Sequence, residues 1–357
     1  MKRILITGGC GFVGSSLALD LARRGYQVTA FDNLSRRGAD ILLKRVLAHG
    51  VSFVRGDVRR SQDLAGLGQD FALIIACCAE PSALVGSDGR DARYLLDVNL
   101  QGAINSFEWA RERRVPVLFI SSSRVYPYDR INAFRYEETA TRFELTEACE
   151  GAGSHGISTD MPLKGRRSLY GAAKLSAEVI LQEYAAQYDL PAVINRCSVI
   201  AGPWQLGRPD QGIFAYWMAA HYFRRPLNYI GFGGQGKQVR DLLHVDDFAE
   251  LVARQAEGLI GDTPRFRGDV FNVGGSGYAD LSLREATEIC ARLTGHCIDI
   301  GSVAQSRPAD MIWYRTDNQR TLQAFDWQLK HSAVNVLEDI FQWLRANEAD
   351  CRKIFDV

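Results

Sequence analysis

Thr7-Gly8-Gly9-Cys10-Gly11-Phe12-Val13-Gly14 decides the fold of this chain. Gly8, Gly11 and Gly14 stand at G-x-x-G-x-x-G spacing, directly after Ile4-Leu5-Ile6, which reads as a strand. Phe12 to Arg24 then reads as an amphipathic helix closed by Gly25. A glycine-rich turn between a strand and a helix suits a bound dinucleotide. Gly8 permits the tight turn, Gly11 lets the backbone approach a pyrophosphate at the helix N-terminus, and Gly14 lets the helix lie close to the sheet. Phe12 and Val13 complete the expected cofactor loop.

Outward from this turn, short apolar runs alternate with amphipathic stretches. Gln27 to Phe31, Val51 to Val54, Leu73 to Cys77 and Val117 to Ile120 read as strands, with helical periodicity over Val98 to Arg113 and Ser168 to Gln187 and a further strand at Ala192 to Asn195. That order predicts an α/β fold, a Rossmann doubly wound parallel sheet with helices on both faces. From about Ile200 the pattern loosens, and Gly, Pro and aromatic residues concentrate in Ala201 to Gly236. The expected organisation is a dinucleotide-binding domain over 1–199 and a smaller C-terminal substrate lobe over 200–357, interleaved with the first. Arg130 to Arg167 is polar and long for a connection inside a domain, which points to a functional or disordered loop. Helices are expected near Val245 to Glu257, Leu283 to Leu293 and Val336 to Ala346, with a strand at Val270 to Val273.

The chain has 357 residues, 46% of them hydrophobic, enough for a large core. Lys plus Arg and Asp plus Glu both number 42, so the chain carries no net positive charge and non-specific binding to the nucleic-acid backbone is disfavoured. The longest apolar run, Phe71 to Ala79, falls far short of the ~20 residues that span a bilayer. Eight cysteines without a C-x-x-C pair fit a reducing compartment, and with no leader pattern in the first residues a cytoplasmic location is expected. His244 precedes Asp246 and Asp247, but this reads as a helix N-terminus, and no metal is expected.

Asp32 ends the second strand about 20 residues after the glycines, where a carboxylate can accept hydrogen bonds from ribose hydroxyls and repel a 2′-phosphate. NAD is therefore expected over NADP, although Arg36 and Arg37 follow closely. Asn33, Ser35 and Arg36 continue the same edge, and Asp57 with Val58 follows the third strand, placed for the adenine. Tyr170 and Lys174 are four residues apart on one helix face. A phenol with a pKa of ~10 is a poor base at neutral pH, and a neighbouring ammonium favours its ionised form. The pair is a candidate general base for a hydroxyl.

With Ser121-Ser122-Ser123 at a strand end, Val125-Tyr126 after it, Asn99 at the start of a helix and Gly236-Lys237-Gln238-Val239-Arg240-Asp241 downstream, the chain resembles the extended short-chain dehydrogenase/reductase superfamily. The likeness is to its nucleotide-sugar epimerases and dehydratases. It implies a catalytic triad of Ser122, Tyr170 and Lys174, a resident NAD further contacted by Ala79, Asn99 and Ser121, and a homodimer or homotetramer. It also implies a nucleotide-diphosphate sugar as substrate, held by Glu80, Ser123, Arg124, Gln211, Arg240 and Arg307.

Dehydratases of the family carry Asp-Glu after the triad Ser/Thr, whereas Ser123-Arg124 stands here, and arginine cannot give up a proton near neutral pH. Epimerisation is the better reading. Phe31 to Gly38, Glu138 to Phe143, Asp210-Gln211-Gly212 and the long gap from Tyr126 to Tyr170 resemble the epimerases that act on CDP-sugars; the alternatives are a UDP-sugar 4-epimerase, a nucleotide-sugar dehydratase of unusual type, or a non-catalytic NAD-binding sensor or scaffold, against which Ser122, Tyr170 and Lys174 argue. Ala76-Cys77-Cys78-Ala79 and Ala201-Gly202-Pro203 depart from the family's usual His-x-Ala and Tyr-Gly-Pro.

Overall fold

Strands apolar on both faces must be covered on both faces, and that requirement organises the first half of the chain. The computed structural model describes residues 1–68, 70–86, 90–261 and 264–355. β1 (Arg3–Thr7), β2 (Gln27–Asp32), β3 (Ser52–Arg55), β4 (Phe71–Ala76) and β5 (Val117–Ser122) alternate with helices that include α1 (Phe12–Arg23) and α2 (Ala39–Ala48). The seven-stranded sheet runs Arg267–Val273, Ala192–Cys197, β5, β4, β1, β2, β3. Pairings from β3 through β5 are parallel. The chain winds outward from β1 to β3, then crosses to β4 on the other side of β1. The carboxyl ends of β1 and β4 thus flank the point where strand order reverses, the place where α/β sheets bind ligands.

Two compact units emerge, with extents that differ from the expected 1–199 and 200–357. The first comprises Met1–Val125, Leu169–Arg196 and Phe248–Phe271; the second comprises Tyr126–Ser168, Cys197–Asp247 and Asn272–Val357. The helix Val245–Ile260 and the strand Arg267–Val273 carry the chain back to the first unit, because that strand completes the edge of its sheet.

In the first unit, the helices Gly102–Arg113 and Leu169–Tyr188 bury Phe107, Ala110, Ala177, Leu181 and Ala185 against Ile74, Phe119 and Ile194. Phe107 meets Phe119 edge to face with centroids 5.3 Å apart. Each such large apolar side chain contributes about 1.5–3 kcal/mol on burial.

In the second unit, the helices Ile213–Tyr222, Leu283–Thr294 and Ala333–Ala346 pack around Trp217, Met218, Cys290 and Ile340. Segment 130–167 is ordered rather than a bare loop. Tyr136–Glu138 pairs antiparallel with Phe143–Leu145, and Arg142 reaches Glu285 at 2.6 Å and Asp280 at 3.2 Å. Its polarity reflects these ion pairs, which anchor the insertion to its own unit.

Candidate active site

The glycine turn follows from the backbone geometry. Gly8 has φ of +69°, and its N–H donates to the Phe31 carbonyl at 2.8 Å, tying the turn to β2. A Cβ on Gly14 would collide with the Gly8 carbonyl oxygen, so this glycine packs on the loop rather than on the sheet. The close approach to the sheet is made by Gly9, whose added Cβ would lie 2.6 Å from the Ala30 methyl. Gly11 is different: its Cβ would meet only the Gly8 oxygen, at 3.2 Å.

Gly11 is also the N-cap of α1, no side chain caps that helix, and its first turn holds no acidic residue. The Gly11 N–H turns back to the Gly8 carbonyl at 3.0 Å, and the N–H groups of Phe12, Val13 and Gly14, with the positive dipole end, suit an anion. The site thus fits a dinucleotide's pyrophosphate over Gly11, Phe12, Val13 and Gly14.

Asp32 lies at the end of β2, and each of its oxygens accepts a main-chain N–H: Oδ2 from Cys10 at 3.1 Å and Oδ1 from Leu34 at 2.8 Å. Burial pushes its carboxyl above the ordinary range, against the lowering effect of these two bonds and of Arg36. A half-buried carboxylate with spare lone pairs fits a ribose diol. Asn33 donates from Nδ2 to Asp57 at 3.0 Å and accepts the Ser35 N–H at 2.9 Å. Asp57 is held well below the ordinary range by the Arg59 guanidinium, 2.6 Å away. Val58 is buried, and its carbonyl accepts from Asn105 at 2.8 Å.

Asn99 lies inside a π turn, Asp97–Gln101, between helical Ala92–Leu96 and Gly102–Arg113, not at a helix start. Its amide grips the main chain of Glu80, accepting from the N–H at 2.8 Å and donating to the carbonyl at 2.9 Å. Such π turns recur at functional sites because the extra residue re-aims a side chain. Asn99 is spent on shaping the segment after β4, which includes Ala79. Residues 80–83 form no helix; Glu80 accepts the Ser82 N–H at 3.2 Å instead. Cys77 and Cys78 have thiols pushed up to about 12 by burial.

Three turns of Leu169–Tyr188 carry Tyr170, Lys174 and Glu178 on one buried face. Lys174 donates from Nζ to the Ile120 carbonyl at 2.8 Å and lies over the Phe119 ring. Ser122 ends β5, and its Oγ accepts the Arg124 N–H at 3.2 Å within the tight turn Ser123–Val125, so its own proton is turned elsewhere. Ser123 is buried and Arg124 half-buried. The Ser121 hydroxyl points inward, donating to Glu178, whose other oxygen takes Arg196 Nη2 at 2.8 Å. Glu178 and Arg196 are 1% and 5% exposed. Sequence reading passed over both, although the spacing Tyr170, Lys174, Glu178 repeats every four residues.

In the second unit, Arg240 donates to Asp310 at 2.7 Å and to the Met311 carbonyl, and Arg307 donates to the Pro209 carbonyl at 2.9 Å. Gln211 follows in a tight turn in which its carbonyl accepts from Arg208 at 2.7 Å. Among the described residues, the ligating atoms of His244, His331 and Asp339 lie within 4.8 Å of one another. His244 Nδ1, however, accepts the Asp246 N–H at 3.0 Å, which leaves the ring proton on Nε2, facing Asp339. That tautomer is a helix cap and not a metal ligand.

The comparisons agree with this architecture. The chain is 29% identical to CDP-paratose 2-epimerase of Salmonella typhi, covering 96% of this chain and 98% of that enzyme. It is 26% identical to a UDP-glucose 4-epimerase of Neisseria meningitidis, over 97% of this chain and 98% of that one. The crystal structure of UDP-glucuronic acid 4-epimerase from Bacillus cereus, with UDP-glucuronic acid and NAD, superposes with a TM-score of 0.79 at 22% identity, over 96% of this chain and 99% of that one. No helix among the described residues is long and apolar enough to cross a membrane. The model of the NAD dependent epimerase/dehydratase family matches residues 4–274, and the chain belongs to that family of nucleotide-sugar enzymes.

Proposed function

We propose that the chain is an epimerase of CDP-sugars, similar in reaction to CDP-paratose 2-epimerase (CDP-tyvelose 2-epimerase). The observation that carries this reading is the placement of the candidate triad: Ser122 ends β5, and Tyr170 and Lys174 share one face of the helix that Lys174 Nζ ties to Ile120 in that strand, while the adjoining Ser123-Arg124 supplies no dissociable acid. The similarity to CDP-paratose 2-epimerase along nearly the full length of both chains supports the CDP-sugar.

NAD, held by Gly11, Phe12, Val13, Gly14 and Asp32, supplies the oxidation and re-reduction of one sugar carbon. Tyr170 takes the proton from the hydroxyl on that carbon and later returns it. Lys174 holds a positive charge beside the phenol's helix face and favours the phenolate. Ser122 donates its hydroxyl proton to the same sugar oxygen, which stabilises negative charge developing there. Arg124, Ser123 and Glu80 are assigned to the sugar; Arg240, Arg307 and Gln211 are assigned to the nucleotide diphosphate, for which arginine's planar fork is suited. Arg240 is already braced by Asp310, so a diphosphate must compete with that carboxylate.

A homodimer through Gly102–Arg113 and Leu169–Tyr188 belongs to the same proposal. Val179 and Tyr188 are about half exposed there, whereas Leu181 is buried in its own core. A cytoplasmic setting is supported by eight cysteines of which none is in a disulfide. The test is NMR of the products after incubation with a panel of CDP- and UDP-sugars. An isomer of unchanged mass is expected from a CDP-sugar; a dehydrated keto sugar as the only product would overturn the epimerase reading.

A further inference from the structure

Beneath the catalytic face lies a buried ion pair that the chemistry described so far does not use. Tyr170, Lys174 and Glu178 repeat at i, i+4 and i+8 and lie 8%, 2% and 1% exposed. Glu178 accepts Arg196 Nη2 at 2.8 Å and Nε at 3.0 Å, and also the Ser121 hydroxyl. Arg196 comes from the strand Ala192–Cys197, which is the neighbour of β5 in the sheet. One carboxylate therefore ties the catalytic helix to two adjacent strands, next in sequence to the catalytic Ser122. Such a pair is a costly way to stabilise a fold, since apolar residues of similar volume do as well or better. Its position in register with Tyr170 and Lys174 calls for an electrostatic role.

We propose that Glu178 and Arg196 are positioning residues that set the ionisation of the Tyr170–Lys174 pair. The inference rests on the epimerase reading for its catalytic meaning, but its physical content concerns the phenol alone. Among the described residues, the charged or titratable groups that bear on this stripe include Lys174 on the same helix, Arg196 on the adjacent strand, Arg124 in the turn Ser123–Val125 that packs against the helix, and Cys77 and Cys78 beyond β4, both of which feel the Lys174 charge. Glu178 disfavours the phenolate and Arg196 favours it, so the paired state holds the phenol between the two extremes. Eight residues of helix separate Tyr170 from Glu178, about 12 Å at 1.5 Å per residue. Through an effective dielectric of about 20, one charge at that range moves a titration by about one pH unit.

The test is a 13Cζ-tyrosine NMR titration of the NAD-loaded protein, with Tyr170 assigned by the signal lost in Tyr170→Phe. Glu178→Gln should move the phenol titration down by about one pH unit, and Arg196→Met should move it up by a similar amount. The double variant Glu178→Gln/Arg196→Met should return to within about 0.3 of wild type. Where turnover is measurable, the acidic limb of kcat/KM should follow the same directions. A pair that only holds the fold would lower melting temperature in both single variants and move neither titration. No shift, or shifts of one sign in both, overturns the proposal. Each single variant leaves an unpaired buried charge, so one that does not fold is replaced by the other, whose sign is independently fixed. If neither folds, Glu178→Gln/Arg196→Lys takes their place, because it removes the anion and keeps a cation: the phenol titration should move down by about one pH unit, and a titration at the wild-type value overturns the proposal. A wild-type protein that turns over no CDP- or UDP-sugar would refute the epimerase reading while leaving this titration readable.

Discussion

Lys174 donates from Nζ to the main-chain carbonyl of Ile120, 2.8 Å away, and so fixes the helix Leu169–Tyr188 to the end of β5 through one of its three ammonium protons. The strand thereby sets where the remaining charge is presented. Replacing Lys174 by Met removes the cation that favours the phenolate, so the acidic limb of the pH–rate profile should move to higher pH. Turnover at pH 7 should fall by about 100-fold or more. An unchanged limb in that variant would separate Lys174 from the phenol.

Tyr170→Phe keeps the ring in its cluster with Leu95 and Ala173 but deletes the hydroxyl. Epimerisation should fall by about three orders of magnitude, equivalent to about 4 kcal/mol of transition-state stabilisation, while bound NAD and sugar affinity stay near wild type. Steady-state kinetics with cofactor content measured after denaturation checks both.

The glycines should separate by function. Gly14→Ala drives a methyl into the Gly8 carbonyl oxygen, a backbone atom, and should lower the melting temperature of the apo protein. Gly11→Ala meets only one atom at 3.2 Å, so the fold should survive while NAD affinity drops by about tenfold or more. Thermal melts with and without NAD distinguish the two.

Asp241 gives a pH signature. It is fully buried, accepts the N–H groups of Ser276 and Thr316, and has its carboxyl raised by burial to about 6. The unfolded value is about 3.9, so the native state binds this proton more tightly. Its contribution to stability is therefore present at low pH and is lost as pH rises from about 4 through 6. The full loss is about 2–3 kcal/mol from a folded value of about 6. Among the described residues, Asp241 Oδ1 and Ser198 Oγ find no hydrogen-bond partner. Asparagine can donate where the carboxylate cannot, so Asp241→Asn should gain stability relative to wild type above pH 6 and lose that gain near pH 4. Urea melts across this range measure the difference.

How much of this was legible depended on how local each signal is. The strand–glycine–helix turn and the apolar runs of the sheet are short-range patterns, and β1, α1, β2 and Leu169–Tyr188 fall within a residue or two of expectation. The π turn at Asp97–Gln101 left no such trace, because Asn99 is drawn toward the Glu80 backbone, a partner distant in sequence. Helix Ile213–Tyr222 was hidden in a stretch read as irregular, since it is buried on most sides and lacks a polar stripe. The ion pairs of Arg142 with Glu285 and of Glu178 with Arg196 join segments whose proximity only the fold creates. Gly9 was passed over because its constraint comes from Ala30 on the neighbouring strand.

The central claim is that the sugar carbon is inverted through transient oxidation at the face formed by Ser122, Tyr170 and Lys174. It is tested most directly by running the reaction in deuterium oxide with an accepted CDP-sugar and examining the inverted carbon by proton NMR and mass spectrometry. Hydrogen removed from that carbon and returned within the site never meets solvent, so the epimer should carry no deuterium there. Stoichiometric deuterium at the inverted carbon would show that the hydrogen leaves as a proton, and would contradict the account.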